Sequence, residues 1–367
     1  MGDDDLSVGD IEDARDLPED LTPFITRTIL DPIGVGGYGD VWKCSYDAGG
    51  ISTFVAVKAF RFPENWDSQR MKRNIGREIG ILMILRHNNI VALLGRAKGF
   101  GKRPEMDCLV SPWMPNSTLH AYLELRQNNL TALERSRLLE DVSAGLRYLH
   151  SVPLMHGDIT AANIMIDEGE NARLIDFGLS SIIRPLLGQS HLVMTSIRHG
   201  AIRYAAPELV ASDGVRDLPL QKVDVYSFGC VMLQILSGRL PWSEIQSETL
   251  ITVSIYQGHR PQRPNGDPSI IDSDWDFIQK CLRREPELRP SADEVFDFVI
   301  HRLSSSGSSR PSEQAVETGE LHPTTDKIFQ ICPRFRILVM GKVRIESVRC
   351  FDVSLLNSNP WYLDGCW

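Results

Sequence analysis

The sequence lacks a paired-cysteine motif, a long apolar run and any excess of positive charge, and each absence removes a class of protein. Its seven cysteines stand apart at Cys44, Cys108, Cys230, Cys281, Cys332, Cys350 and Cys366. No two form a C-x-x-C pair, which excludes a zinc ribbon or a thioredoxin-type redox site. An odd number in a long chain also argues against a disulfide framework, so a reducing compartment is expected. No apolar stretch approaches the ~18 residues that suggest a spanning helix. The start, Met1-Gly2-Asp3-Asp4-Asp5, has neither the basic end nor the apolar stretch of a secretory signal. Leu6 stands where N-myristoylation wants Ser or Thr. The expectation is a cytoplasmic chain with no membrane partner. With 39 Lys and Arg against 48 Asp and Glu, the net charge is -9, which argues against nucleic acid as a partner.

What is present is ordinary globular material: 367 residues, 42% hydrophobic and 24% charged. That length suits two or three compact units, or one two-lobed unit with tails. Residues 1–26 are acidic, with Pro18 and Pro23, and read as a mobile lead-in. Strand texture follows. Asp40–Tyr46 alternates with period two, Asp47-Ala48-Gly49-Gly50 is a turn signal, and Phe54–Lys58 is a second strand, so the pair predicts a β-hairpin. Ile75, Ile79 and Leu82 share one face of a helix expected over Asp67–Arg86. Strand-like runs are expected at Ile90–Leu94 and Cys108–Ser111. From Leu119 helices dominate, with segments at Arg135–His150, Val223–Ser237, Ser273–Arg283 and Ala292–Leu303. Residues 304–327 have linker composition, and 328–367 turns apolar again.

Between the first strands lies Ile33-Gly34-Val35-Gly36-Gly37-Tyr38-Gly39-Asp40-Val41. Glycines let backbone N–H groups approach phosphate oxygens closely. The pattern also suits a plain hairpin turn. A dinucleotide fingerprint would need a helix after the last glycine, and here a strand follows. Lys58 sits on an apolar strand, where a lone ammonium is costly unless paired. Glu78 on the next helix is a suitable partner. The pair is either structural or holds Lys58 against phosphates.

His156-Gly157-Asp158-Ile159-Thr160-Ala161-Ala162-Asn163 resembles the catalytic loop of protein kinases. Asp176-Phe177-Gly178 resembles their metal-binding motif, and Ala206-Pro207-Glu208 the end of their activation segment. With the glycine loop, Lys58 and Glu78, these stand in the family's order. The resemblance implies an α+β, two-lobed fold: a small antiparallel sheet lobe with one helix, about 27–111, and a larger helical lobe, about 115–303. It implies transfer of the γ-phosphate of MgATP to a protein hydroxyl, with Ser or Thr expected. A scaffold that binds nucleotide without turnover and a tyrosine-directed enzyme are the alternatives.

The resemblance also assigns roles. Asp158 would orient the attacking hydroxyl and accept its proton, while Asn163 and Asp176 would hold Mg²⁺. Ile33, Gly34, Gly36 and Gly39 would cover the phosphates. Val41, Ala56 and Met165 would contact the adenine, with Ser111 behind it and the backbone of Pro112, Trp113 and Met114 along its edge. Pro112 has no N–H, so the donor would be Trp113 or Met114. Asp224 would hold the catalytic-loop backbone and Arg289 would pair with Glu208. Leu82, Leu93, His156 and Phe177 would stack between the lobes.

Three positions depart from the common pattern. Gly157 stands where many kinases carry an arginine that pairs with a phosphorylated activation segment. Thr160 replaces the lysine usual in serine/threonine kinases, and Ala201 the threonine that works with it. The loop resembles the tyrosine-kinase-like branch, in a form common in fungi. Ser180, Ser181, Ser190, Thr195 and Ser196 are candidate phosphorylation positions. In the tail, Pro333–Lys342 resembles the first strand of a P-loop GTPase, but no Walker motif follows. It reads either as a truncated second domain or as a tail with one adhesive strand.

Overall fold

A computed structural model describes residues 18–35, 39–61, 68–126, 129–152, 154–176, 200–210 and 220–305. The expected linker and C-terminal segment from 306 onward lie outside these residues. The small lobe begins with β1 (Ile25–Arg27), β2 (Gly34–Val35), β3 (Gly39–Ala48) and β4 (Ile51–Phe60). Helix α1 (Ser68–Ile84), β5 (Gly95–Ala97) and β6 (Cys108–Pro112) complete it. The sheet runs β1-β3-β4-β6-β5, all antiparallel, with β2 also on β3.

The predicted hairpin is present. Gly49 and Gly50 take φ of 61° and 82°, the left-handed pair a tight two-residue turn requires. Its register sets Val41 opposite Lys58 and Trp42 opposite Val57. Side chains alternate across the sheet, so one face buries Trp42, Val55, Val57 and Val110. Each such burial is worth about 1.5–3 kcal/mol. Val41, Ala56, Lys58 and Ser111 lie on the opposite face, from which Lys58 reaches Asp176 of the large lobe.

Two expectations change. The lead-in does not extend to residue 26, because Leu21 lies in the small-lobe core, 2% exposed. Its N–H donates to the Arg96 carbonyl at 2.8 Å, and the Arg96 N–H returns to Glu19 at 2.9 Å. Composition averages hide one well-placed leucine among acids. Ile90–Leu94 is not a strand; the strand is Gly95–Ala97. The Val91 amide bonds Leu174 of the large lobe, whereas the Leu94 amide bonds Val110. The run crosses from one lobe to the other, so its apolar residues pack without a continuous ladder.

The large lobe holds α2 (Leu119–Arg126), α3 (Ala132–Ser151), the two-stranded β7 (Ile164–Ile166) and β8 (Ala172–Leu174), and α4 (Pro207–Val210). Then come α5 (Leu220–Ser237), α6 (Glu248–Tyr256), α7 (Asp272–Cys281) and α8 (Ala292–Ser305). Helix α3 starts at a reciprocal cap: Glu134 N–H donates to Thr131 Oγ1 at 3.2 Å and Thr131 N–H to Glu134 Oε2 at 2.7 Å. Helix α5 is apolar nearly all round and fills the lobe centre, with Tyr226, Phe228, Val231 and Leu233 fully buried. Among the described residues, no helix is long and apolar enough to cross a membrane.

Candidate active site

The loop between α3 and β7 is held from below. Asp224, on the first turns of α5 and 1% exposed, accepts the backbone N–H of His156 at 2.8 Å and of Gly157 at 2.7 Å. It also meets His150 Nε2, at the end of α3, at 3.0 Å. A buried carboxylate is tolerable only when its lone pairs are filled this way. Gly157 sits at φ 76°, so glycine relieves strain that arginine would meet there. His156 is fully buried, and burial pushes its imidazole below the usual range against the pull of Asp224, Asp158 and Asp176.

Above this support stand the chemical groups. The Asn163 amide nitrogen donates to the Asp158 carbonyl at 2.8 Å and to Asp158 Oδ2 at 2.9 Å. Those donations fix which arm of the amide is nitrogen and leave the oxygen on the other. Ile175 N–H donates to the Asn163 carbonyl at 3.0 Å, drawing the end of the β8 segment against the loop. The next residue, Asp176, has φ 62°, a strained backbone for a non-glycine residue. Lys58 reaches across from β4 and its ammonium contacts the Asp176 carboxylate. The side chains of Lys58 and Asp176 are 14% and 17% exposed. Sequence reasoning pairs Lys58 with Glu78. Glu78 is on α1, but its side chain, like all of Gly36 and Phe177, lies outside the described residues.

The cleft face follows the strand register. Ala56 pairs with Ser111, and Gly34 with Val41. Ile33 donates its N–H to the Val41 carbonyl at 2.9 Å and is 46% exposed. Gly39 is pressed against β4: an added Cβ would stand 2.4 Å from the Ala59 carbonyl oxygen. The neighbouring Asp40 is 7% exposed and ion-pairs with Arg61, whose Nε donates at 3.1 Å. After β6, the Trp113 N–H donates to the Phe54 carbonyl at 3.2 Å. Of the two expected hinge donors, Trp113 is therefore engaged within the sheet and Met114 is the one left. Met165 on β7 bridges Thr118 from the large-lobe side. Leu82 and Leu93 pack in one cluster with Ile75 and Ile79 of α1.

A second anchor lies where residues 200–210 meet the rest of the large lobe. Arg289, 0% exposed, donates to Glu208 through Nη1 at 2.6 Å and Nη2 at 2.7 Å. Ser227 Oγ donates to the Tyr204 carbonyl at 2.9 Å. Arg203 donates to the carbonyls of Pro241, Trp242 and Ile245 at 3.0, 2.9 and 3.2 Å. Sequence reasoning passes over Arg203, His150 and Arg61, because each acts through a partner distant in the chain. Thr160 is 5% exposed, and Ala201 opens a short turn ending at Tyr204. The candidate phosphorylation positions from Ser180 to Ser196 lie outside the described residues.

Among the described residues, no three His, Cys, Asp or Glu side chains gather into a metal cage. The Asn163 amide oxygen and the Asp176 carboxylate are hard oxygen donors. Two protein ligands, with water and phosphate completing the shell, is how Mg²⁺ binds beside a nucleotide. The Lys58 ammonium on Asp176 indicates that this carboxylate accepts a cation. The residues present fit a divalent ion of that class.

Comparison with known proteins bears on this geometry. The family model described as "Protein kinase domain" matches residues 27–299. The serine/threonine-protein kinase STY46 of Arabidopsis thaliana is 25% identical over 288 residues, 78% of this chain and 46% of its own. A probable serine/threonine-protein kinase of Dictyostelium discoideum is 28% identical over 276 residues, 75% of this chain and 28% of its own. The dual specificity protein kinase pyk3 of the same organism is 24% identical over 272 residues, 74% of this chain and 18% of its own. The chain thus spans less than half the length of each of these curated relatives.

Proposed function

Because the chain belongs to the protein kinase family, we propose that it transfers the γ-phosphate of ATP to serine or threonine hydroxyls of a protein substrate. One observation carries the reading: Asp158 and Asn163 are bonded to each other beside Asp176, and Lys58 reaches that carboxylate from the opposite lobe. Phosphoryl transfer needs positioning and charge neutralisation more than covalent help. Asp158, steadied by the Asn163 amide, orients the acceptor hydroxyl and takes its proton. Lys58 draws phosphate oxygens toward the cleft, supported by Glu78. Asn163 and Asp176 would hold Mg²⁺, which when bound would neutralise charge on the phosphates. Ile33, Gly34, Gly36 and Gly39 cover the phosphates. Val41, Ala56 and Met165 enclose the adenine, with Ser111 behind it and the Met114 N–H at its edge.

The serine/threonine acceptor is supported by two relatives that are named serine/threonine-protein kinases. The loop His156–Asn163 supports placement in the tyrosine-kinase-like branch, in its fungal form. A cytoplasmic site of action suits Cys44, Cys108, Cys230 and Cys281, which are free and buried. The test is incubation with labelled ATP and Mg²⁺ beside Asp158→Asn and Lys58→Met, followed by phosphoamino-acid analysis. Phosphoserine or phosphothreonine lost in both variants is expected. Labelling that persists unchanged in Asp158→Asn overturns the catalytic role, and phosphotyrosine alone overturns the acceptor.

A further inference from the structure

The passage from β2 into β3 has little in its sequence to hold it in register. Four of the six residues from Gly34 to Gly39 are glycines: Gly34, Gly36, Gly37 and Gly39. Register is normally set by side chains that belong on one face, and a glycine-rich strand is prone to slip. A slip of one residue would turn Val41 away from the cleft and move Gly39 from its place against Ala59.

One contact at the base of this loop is directional. Asp40, the residue after Gly39, receives Arg61 in a two-pronged fork: Nε donates to Oδ2 at 3.1 Å and Nη2 to Oδ1 at 2.5 Å. Asp40 pairs with Ala59 across the strands, so Arg61, two residues on, is its diagonal neighbour on the same face. That face is the apolar one. It carries Trp42, Val57 and Ala59 into the small-lobe core, and Asp40 itself is 7% exposed. An ion pair in such a place adds little stability over packed apolar side chains, because desolvation offsets most of the attraction. What it adds is direction, since two parallel N–H···O bonds form in one register alone. Among the described residues, Arg61 is the cation paired with Asp40.

We propose that Asp40 and Arg61 are positioning residues that lock the register of the glycine loop, and so set the affinity for ATP without touching it. They lie on the face of the sheet opposite Val41 and Lys58. The lock acts through the backbone of β3, where Val41 pairs with Gly34 and Gly39 pairs with Phe60. This role rests on the reading of the cleft as a nucleotide site.

The full chain is titrated with MgADP by calorimetry, and KM and kcat for ATP are taken from the labelled-ATP assay. Arg61→Gln is expected to weaken MgADP binding about fivefold or more and to raise KM for ATP in step, with kcat within about twofold of the parent. Arg61→Lys keeps the charge without the fork, and is expected to bind as weakly as Arg61→Gln. Melting separates position from stability. The apolar pair Asp40→Leu with Arg61→Met is expected to regain the parent Tm, because packed apolar residues replace an ion pair at little cost, while MgADP binding stays weak. Recovery of binding together with Tm in that pair would overturn the lock and leave the contact structural. Parent-like binding in Arg61→Gln or Arg61→Lys, or a fall in kcat at constant KM, would overturn it as well. A parent chain that binds no MgADP removes the nucleotide reading and the lock with it.

Discussion

Arg289 grips Glu208 through two parallel N–H···O bonds of 2.6 and 2.7 Å, with the guanidinium wholly out of solvent. Removing one partner strands a buried charge, which costs about 3–5 kcal/mol. Arg289→Ala should therefore lower the urea midpoint sharply. Arg289→Lys should recover little, since an ammonium cannot reproduce the fork. The double change Arg289→Met with Glu208→Leu should be less destabilised than either single loss. Equal stability of Arg289→Ala and the parent would refute the anchor.

Asp224 serves three donors at once, from His156, Gly157 and His150. An asparagine presents one acceptor oxygen in place of two, and its NH₂ opposes a donor. Each unsatisfied buried donor costs about 1–3 kcal/mol. Asp224→Asn should reduce kcat by about tenfold or more, with KM for ATP shifted less than about threefold. A rise in KM at constant kcat would show that the loop does not depend on this carboxylate.

Leu21 closes the small-lobe core from outside the expected domain boundary. Truncating a buried leucine costs about 2–5 kcal/mol, according to how far the site collapses. Leu21→Ala should lower Tm by several degrees. A chain beginning at Arg27 should lose at least as much, whereas one beginning at Pro18 should lose little. Equal melting of all three would return residues 18–26 to the lead-in.

His156 makes stability depend on pH. Burial pushes its imidazole below the ordinary value of 6.5. Below that pH the unfolded chain takes up the proton more readily than the folded one. The contribution is full above about pH 6.5 and is lost as pH falls through the depressed folded value. In urea melts, His156→Leu should flatten the acid side of the profile. If variant and parent fall with the same slope between about pH 6.5 and 5, the imidazole is not responsible.

The residues easiest to read from the sequence are those whose chemistry demands a fixed order along the chain. Asp158, Asn163 and Asp176 announce themselves by spacing, and alternation alone fixes the hairpin that carries Lys58. The contacts of Asp224 and Arg289 were also expected, from the resemblance. Partnerships between distant helix ends are harder. Nothing around His150 distinguishes it from an ordinary polar helix residue until α3 and α5 meet. Composition misleads at Leu21, because one buried side chain outweighs its acidic neighbours. The run Ile90–Leu94 misleads for a related reason. Burial between two lobes selects the same apolar residues as a strand does, without the ladder.

The hinge has a consequence for inhibitor chemistry. Pro112 brings no N–H, and the Trp113 N–H already bonds Phe54. If the nucleotide base seats against this edge as proposed, a heterocycle there would meet, of these three residues, only the Met114 N–H as a donor. A scaffold with one acceptor there should suit it, while a second acceptor aimed at Trp113 would lose water without gaining a partner.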